Sequence, residues 1–169
     1  MHRGSGYNRE YELSEKGRMN MIKGLSHIAI RVKDLDESLR FYREILGLEE
    51  AFRLREEDGT TRIVYLWIAP GQFIELFPDG KTEPERGTHM IGMQHICLET
   101  GDVEAAYERL TALGIVPDTG VVTGKAKCRQ FWIRDPDGNP IELMELGPES
   151  MQAQAALRFA ESGKDGKQA

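Results

Sequence analysis

Two histidines and two glutamates recur in matching apolar settings far apart in the sequence. His27 lies in "LSHIAIRV" and His95 in "MQHICLE", 68 residues apart, while Glu75 in "FIELF" and Glu142 in "PIELM" are 67 residues apart. An isolated carboxylate is costly to bury unless a cation or a hydrogen-bond donor accompanies it. Two imidazoles and two carboxylates that converge would supply nitrogen and oxygen ligands to one divalent metal ion.

Each of these four residues also has an ordinary structural explanation. A lone polar residue in a strand more often faces solvent or is hydrogen-bonded within the core. The recurrence of the whole set at nearly one offset favours metal ligation, because a shared spacing is hard to obtain by chance.

The elements that must position these residues follow a β-α-β-β-β order in the first half. Alternating apolar residues predict a strand around His27, and apolar residues at 3–4 spacing predict a helix over "DLDESLRFYREILGL". Asp34 suits the N-cap of this helix, and Gly47 suits the left-handed position after its end. Turn residues in "REEDGTTR" and "PGQ" then separate three further strands.

The second half repeats much of this order. "MQHICLE" predicts a strand, "DVEAAYERLTALGI" a helix that ends at Gly114, and "CRQFWIRD" and "PIELMEL" two strands joined through the turn "DPDGN". Gly47 and Gly114 are themselves 67 residues apart. These observations indicate an internal duplication.

Composition restricts the class of partner. The chain has 169 residues, a net charge of −6, a pI near 5.3 and no long basic run, so neither nucleic acid nor an anionic membrane surface is an expected partner. A small-molecule substrate is expected instead. No apolar stretch approaches the ~20 residues of a membrane span, and the N-terminal residues lack the apolar centre of a secretory signal. Cys97 and Cys128 lack the spacing of a metal or redox motif. These features predict a cytoplasmic protein.

The chain divides into three parts. Residues 1–20 are polar and without a clear period, which predicts a mobile extension. Residues 21–146 form the domain, with modules at about 21–80 and 90–146. Residues 147–169 are expected to form a C-terminal helix, begun near Ser150, and a disordered tail; the helix suits surface or dimer packing.

Several of these motifs together resemble a known family. "HIAIRV", "FYREILGL", "FIEL", "QHICLE" and "DPDGNPIELME" resemble the glyoxalase I branch of the vicinal oxygen chelate superfamily, which also contains bleomycin resistance proteins and dioxygenases. The resemblance implies an α+β fold in which two βαβββ modules form a half-barrel-like mixed sheet around a metal site. It places His27, Glu75, His95 and Glu142 at the positions of the metal ligands.

The resemblance also implies a cofactor, an assembly and a reaction. Each site would hold one divalent ion, Ni, Co, Mn or Zn, and short members form homodimers whose sites take modules from both chains. The reaction would be that of a lactoylglutathione lyase on the hemithioacetal of methylglyoxal and glutathione. The ion would stabilise an enediolate while a glutamate moves the proton. Glu142 is the expected base and Glu75 its counterpart, although either could remain a ligand.

Other activities share this ligand set or this fold. An acyl-CoA epimerase of the methylmalonyl-CoA type needs the same stabilised enolate and a pair of bases. Ring-cleaving dioxygenases of the superfamily use two histidines and one glutamate, so Glu75 favours isomerase chemistry. Non-catalytic ligand-binding members typically lack the four ligands.

The sequence matches one position of the family's glutathione-binding pattern and differs from it at two others. Arg31 matches an arginine that glyoxalase I uses to hold a glutathione carboxylate, and we expect it to bind substrate. However, Asp79 stands where the family has an asparagine, and Ile91 where some members carry a second arginine. Three basic residues in a later loop could replace these groups: Lys125, Lys127 and Arg129.

Overall fold

The computed structural model describes residue 22, residues 24–82 and residues 91–165, with side chains as far as residue 160. The extension expected at residues 1–20 and the last four residues of the expected tail lie outside the described part of the chain. The first module contains β1 (His27–Arg31), α1 (Leu35–Leu39), β2 (Glu49–Arg55), β3 (Thr61–Ala69) and β4 (Gln72–Phe77). This is the element order predicted for the first half.

The first helical stretch, which consists of α1 and the segment that continues it, begins and ends at the predicted residues. The Asp34 carboxylate accepts the backbone N–H of Glu37 at 3.0 Å, and Gly47 has a φ of 82°, which favours glycine. After Leu39 the chain continues as a π-helical segment, Arg40–Ile45, a widening that side-chain periodicity did not predict. This segment buries the neighbouring rings of Phe41 and Tyr42, which meet edge-on with centroids 5.1 Å apart.

The second module contains β5 (Ile96–Glu99), α2 (Val103–Ala112), β6 (Val122–Thr123), β7 (Arg129–Arg134) and β8 (Pro140–Glu145). Strand β6 is only two residues long, which explains why no alternation reveals it. It completes the second β-α-β-β-β unit. Helix α3 (Met151–Asp165) follows, and the Ser150 hydroxyl caps it by accepting the Ala153 N–H at 3.0 Å.

Each module forms one four-stranded mixed sheet, and neither sheet closes into a barrel. The strand orders are β1-β4-β3-β2 and β5-β8-β7-β6. In each sheet the first strand pairs in parallel with the last strand of its module, while the remaining pairs are antiparallel. The α+β prediction of two related modules is therefore confirmed.

One face of each sheet contributes to a hydrophobic core that both modules share. The core includes Ile74 and Leu76 of β4, Ile141 of β8 and Phe131 of β7, all almost fully buried. The opposite faces carry the histidines and glutamates of interest. No described helix is both long and apolar enough to cross a membrane.

Candidate metal and substrate site

The first module brings His27 and Glu75 together. Glu75 pairs in register with Ala29 of β1, so the side chain of His27, two residues earlier, lies on the same face. The distance from His27 Nδ1 to Glu75 Oε1 is 3.5 Å. Glu75 is 6% exposed, whereas the His27 side chain is 48% exposed. A buried carboxylate therefore lies beneath an accessible imidazole.

The second module repeats this arrangement with His95 and Glu142. Glu142 pairs in register with Cys97 of β5, and His95 directly precedes that strand. His95 Nε2 lies 3.2 Å from Glu142 Oε2, and Glu142 is 7% exposed. The duplication seen in the sequence is thus a duplication of a histidine–glutamate pair.

The structure does not bring all four residues together within one chain. In the described ranges, no group of three or more histidine, cysteine, aspartate or glutamate side chains could hold a metal ion. His27 borders a cleft of about 890 Å³ next to β5 and α3, whereas His95 borders a separate cleft of about 390 Å³. Each pair supplies one nitrogen and one oxygen donor, which is half of the four-ligand set expected from the sequence.

An aromatic residue lies opposite each glutamate. Tyr65 of β3 pairs in register with Glu75, and a hydrogen bond to this carboxylate, with some burial, raises the pKa of the Tyr65 hydroxyl. The Tyr65 ring stacks on Phe52 with centroids 4.2 Å apart and meets Phe73 edge-on at 6.3 Å. Tyr65 is thus fixed on both sides while its hydroxyl faces Glu75.

The corresponding position in the second module is Trp132. It pairs in register with Glu142, and its ring meets the His95 imidazole edge-on with centroids 4.7 Å apart. Because Trp132 does not place a hydroxyl beside the carboxylate, the donor comes from another residue. Cys97 is hydrogen-bonded to Glu142, and desolvation together with the charge of Glu142 raises the pKa of this thiol to about 12. Cys97 is therefore a neutral donor at ordinary pH.

Sequence reasoning did not place Tyr65, Cys97 or Trp132 in the site. Two signals could have found them. Tyr65 and Trp132 are 67 residues apart, the spacing that relates Glu75 to Glu142. Cys97 is two residues after His95 and therefore shares its face of the strand.

Arg31 lies on the same sheet face as His27, but its guanidinium is paired with the Asp79 carboxylate. Two of the three later basic residues also have acidic partners. Arg129 pairs with Glu104 and Glu145, and Lys127 lies 4.0 Å from Glu149.

The chain is similar to several known proteins. The sequence pattern of the Glyoxalase/Bleomycin resistance protein/Dioxygenase superfamily matches residues 24–143. A probable lactoylglutathione lyase of Vibrio parahaemolyticus is 34% identical over 137 residues, covering 78% of this chain and 94% of the relative. An ethylmalonyl-CoA/methylmalonyl-CoA epimerase of Cereibacter sphaeroides is 33% identical over 98 residues, covering 56% of this chain and 73% of the relative.

Solved structures agree with these sequence matches. The crystal structure of lactoylglutathione lyase from Agrobacterium tumefaciens aligns with a TM-score of 0.57 at 25% identity, covering 74% of this chain and 95% of that one. The chain belongs to the glyoxalase/bleomycin resistance protein/dioxygenase superfamily. Members of this superfamily typically bind a divalent metal ion and small-molecule substrates, and they often dimerise.

Proposed function

We propose that this chain is a metal-dependent lyase or isomerase of the glyoxalase I type, acting on a vicinal-oxygen substrate such as the hemithioacetal of methylglyoxal. The observation that carries the proposal is the repeated pair: each module buries one carboxylate beside one imidazole, at 3.5 Å and 3.2 Å. Burial of a carboxylate costs free energy, and this chain buries one at the matching position of each module. This repetition favours a chemical role for the pairs over a role in stability.

We call each histidine–glutamate pair a half-site. The imidazole nitrogens and carboxylate oxygens fit one divalent ion, Ni, Co, Mn or Zn, only when two half-sites combine. Because one chain keeps its pairs apart, we propose a homodimer in which His27 and Glu75 face His95 and Glu142 of the partner subunit. A bound ion would act as a Lewis acid toward the two neighbouring substrate oxygens and so acidify the C–H bond beside them.

The residues of the chain carry the proton. Glu142 removes it from the carbon that bears the hydroxyl and the sulfur and returns it to the neighbouring ketone carbon, while the hydroxyl proton is transferred to the former ketone oxygen. The first carbon becomes the thioester carbonyl and the second becomes the alcohol carbon, so substrate and product are isomers and no oxidant is needed. Glu75 faces the other side of the substrate, where the Tyr65 hydroxyl donates to it. Each carboxylate thus has its own donor, Tyr65 beside Glu75 and Cys97 beside Glu142, and the assignment of Glu142 as the base follows the family resemblance. Arg31 contributes to the substrate-facing surface.

An acyl-CoA epimerase is the second candidate. Two half-sites with one carboxylate each would supply two bases on opposite faces of a planar enolate, which epimerisation requires. The 33% identity to the ethylmalonyl-CoA/methylmalonyl-CoA epimerase supports this alternative.

The test compares both substrate classes on the same protein. Apo-protein should take up about one divalent ion per four-ligand site, and the loaded protein should convert methylglyoxal plus glutathione, monitored as thioester formation. A panel of acyl-CoA thioesters, monitored by deuterium uptake from solvent, examines epimerisation in parallel. Absence of stoichiometric metal binding, or of both activities, would contradict the proposal.

A further inference from the structure

The outer end of β1 carries an arginine that already has an anionic partner. The Arg31 guanidinium is paired with the Asp79 carboxylate and lies 5.5 Å from the centre of the Phe77 ring. Arg31 and Phe77 are register partners and share a sheet face with His27. The guanidinium is therefore held between an aromatic ring and a carboxylate.

The backbone holds Asp79 in this place. Val32 accepts the Gly80 N–H at 3.0 Å and donates its own N–H to Phe77 at 2.8 Å. A Cβ atom on Gly80 would lie 2.9 Å from the Val32 carbonyl oxygen, so only glycine allows the chain to pass this close to the end of β1. Asp79, the residue before this contact, is thereby carried next to Arg31.

The sheet face that carries this ion pair also carries several aromatic rings. Phe73 and Phe77 of β4 lie on the same face, and the stacked pair of Phe52 and Tyr65 extends it across β3 and β2. The ion pair itself is accessible, with side chains 56% and 62% exposed. A ligand can reach it, but meets no net charge there.

Building on the proposed function, we infer that Asp79 is a specificity-determining residue. It cancels the charge of Arg31, so that the subsite at the outer ends of β1 and β4 takes an uncharged arm of the substrate in preference to a carboxylate. A carboxylate that approaches Arg31 is repelled by Asp79, and the guanidinium would have to exchange one anion for another. The Phe77 ring beside the guanidinium, and the other aromatic rings further along this sheet face, favour an apolar arm.

The test uses an unreactive probe with two carboxylates. S-methylglutathione and its diethyl ester are titrated calorimetrically into the full-length, Ni²⁺-loaded protein. Asp79→Asn should raise affinity for S-methylglutathione by about three- to tenfold, while affinity for the ester stays unchanged. The gain should shrink as salt is added. Glu57→Gln, which removes the same charge from the exposed turn between β2 and β3, should change neither affinity.

The informative quantity is the affinity for S-methylglutathione divided by the affinity for its diethyl ester. If this ratio is unchanged or lowered in Asp79→Asn, the role of Asp79 is overturned. Undetectable binding of S-methylglutathione to this variant would count against it equally, because the released guanidinium should capture a carboxylate. The probe needs no turnover. Failure of the lyase and epimerase assays would therefore contradict the proposed function, whereas an unchanged affinity ratio would contradict only the role of Asp79.

Discussion

The hydroxyl of Tyr42 in the first module donates a hydrogen bond of 2.8 Å to the Asp135 carboxylate in the second. Both residues are buried, and Asp135 also accepts the backbone and side-chain N–H groups of Asn139 at 2.7 Å each. This contact connects the π-helical segment Arg40–Ile45 to the turn "DPDGN", which directly precedes β8, the strand of Glu142. The interface between modules therefore contains a satisfied polar contact within the shared apolar core.

Loss of this contact should destabilise the protein. Tyr42→Phe removes one of three donors to a buried carboxylate, and we expect the free energy of unfolding to fall by about 1–3 kcal/mol. Chemical denaturation followed by circular dichroism measures this value. Tyr107→Phe, at a ring that packs edge-on against Phe131, is the matched control and should have little effect. Equal losses in the two variants would show that the Tyr42 hydroxyl has no special role.

The same contact predicts a decline in stability at alkaline pH. Burial and the neighbouring Asp135 charge raise the pKa of Tyr42 far above its ordinary value near 10. Above that pH the unfolded chain loses the tyrosine proton while the folded chain keeps it, so folding stability falls by about 1.4 kcal/mol per pH unit from this group. The slope of unfolding free energy against pH between 10 and 11 should be smaller in Tyr42→Phe than in the wild type. Identical slopes would contradict the assignment.

Much of the fold could be predicted because its determinants are local. Asp34 and Gly47 mark the ends of the first helix, and alternation marks the strands that carry His27 and Glu75. The π-helical segment at Arg40–Ile45 was not predicted, since one widened turn hardly alters the apolar period. Strand β6 has only two residues and is defined by its pairing with β7, which is a tertiary property.

The candidate site could be predicted by residue type but not by arrangement. Repetition identified the two histidines and two glutamates, yet nothing local shows that His27 meets Glu75 rather than Glu142. The pairing follows from the parallel contact between first and last strands of each module. Likewise, the proximity of Asp79 to Arg31 depends on the close passage of Gly80 past Val32, which no sequence period encodes.

Metal binding should depend on both histidines. His27→Ala and His95→Ala each remove one nitrogen donor, and each should weaken Ni²⁺ binding by more than the roughly 10–100-fold typical of losing an outer-shell partner. Calorimetric titration of apo-protein gives the affinities. Cys128→Ala, at a buried residue outside either histidine–glutamate pair, should retain wild-type affinity. Wild-type affinity in both histidine variants would exclude the paired half-sites.

The hydroxyl of Tyr65 should matter for metal affinity through Glu75. Tyr65→Phe keeps the stack on Phe52 but removes the donor to the carboxylate. We expect metal affinity to fall by about 10-fold with little change in thermal stability, because outer-shell donors orient the ligands they contact. Tyr107→Phe again provides the control. A variant that binds metal as tightly as the wild type would leave Tyr65 with a packing role only.

Assembly of the site from two chains can be tested by complementation. Glu75→Gln damages the first module and Glu142→Gln the second, and each variant alone should be inactive. If sites are shared between subunits, a mixed dimer has one site with both lesions and one with neither. Equal mixing makes half of the dimers mixed, so roughly a quarter of wild-type activity should return after co-refolding.

The alternative arrangement gives a different result in the same experiment. If both modules of one chain build a site, every site in the mixture retains one lesion and no activity returns. Differently tagged variants allow the mixed dimers to be isolated by tandem affinity purification before the assay, so that inactivity cannot reflect a failure to exchange. Inactive mixed dimers would refute the shared site. If activity returns in the mixed dimers while each variant refolded alone is inactive, the result would support a shared site. In that site His27 and Glu75 of one subunit face the second half-site of the other subunit.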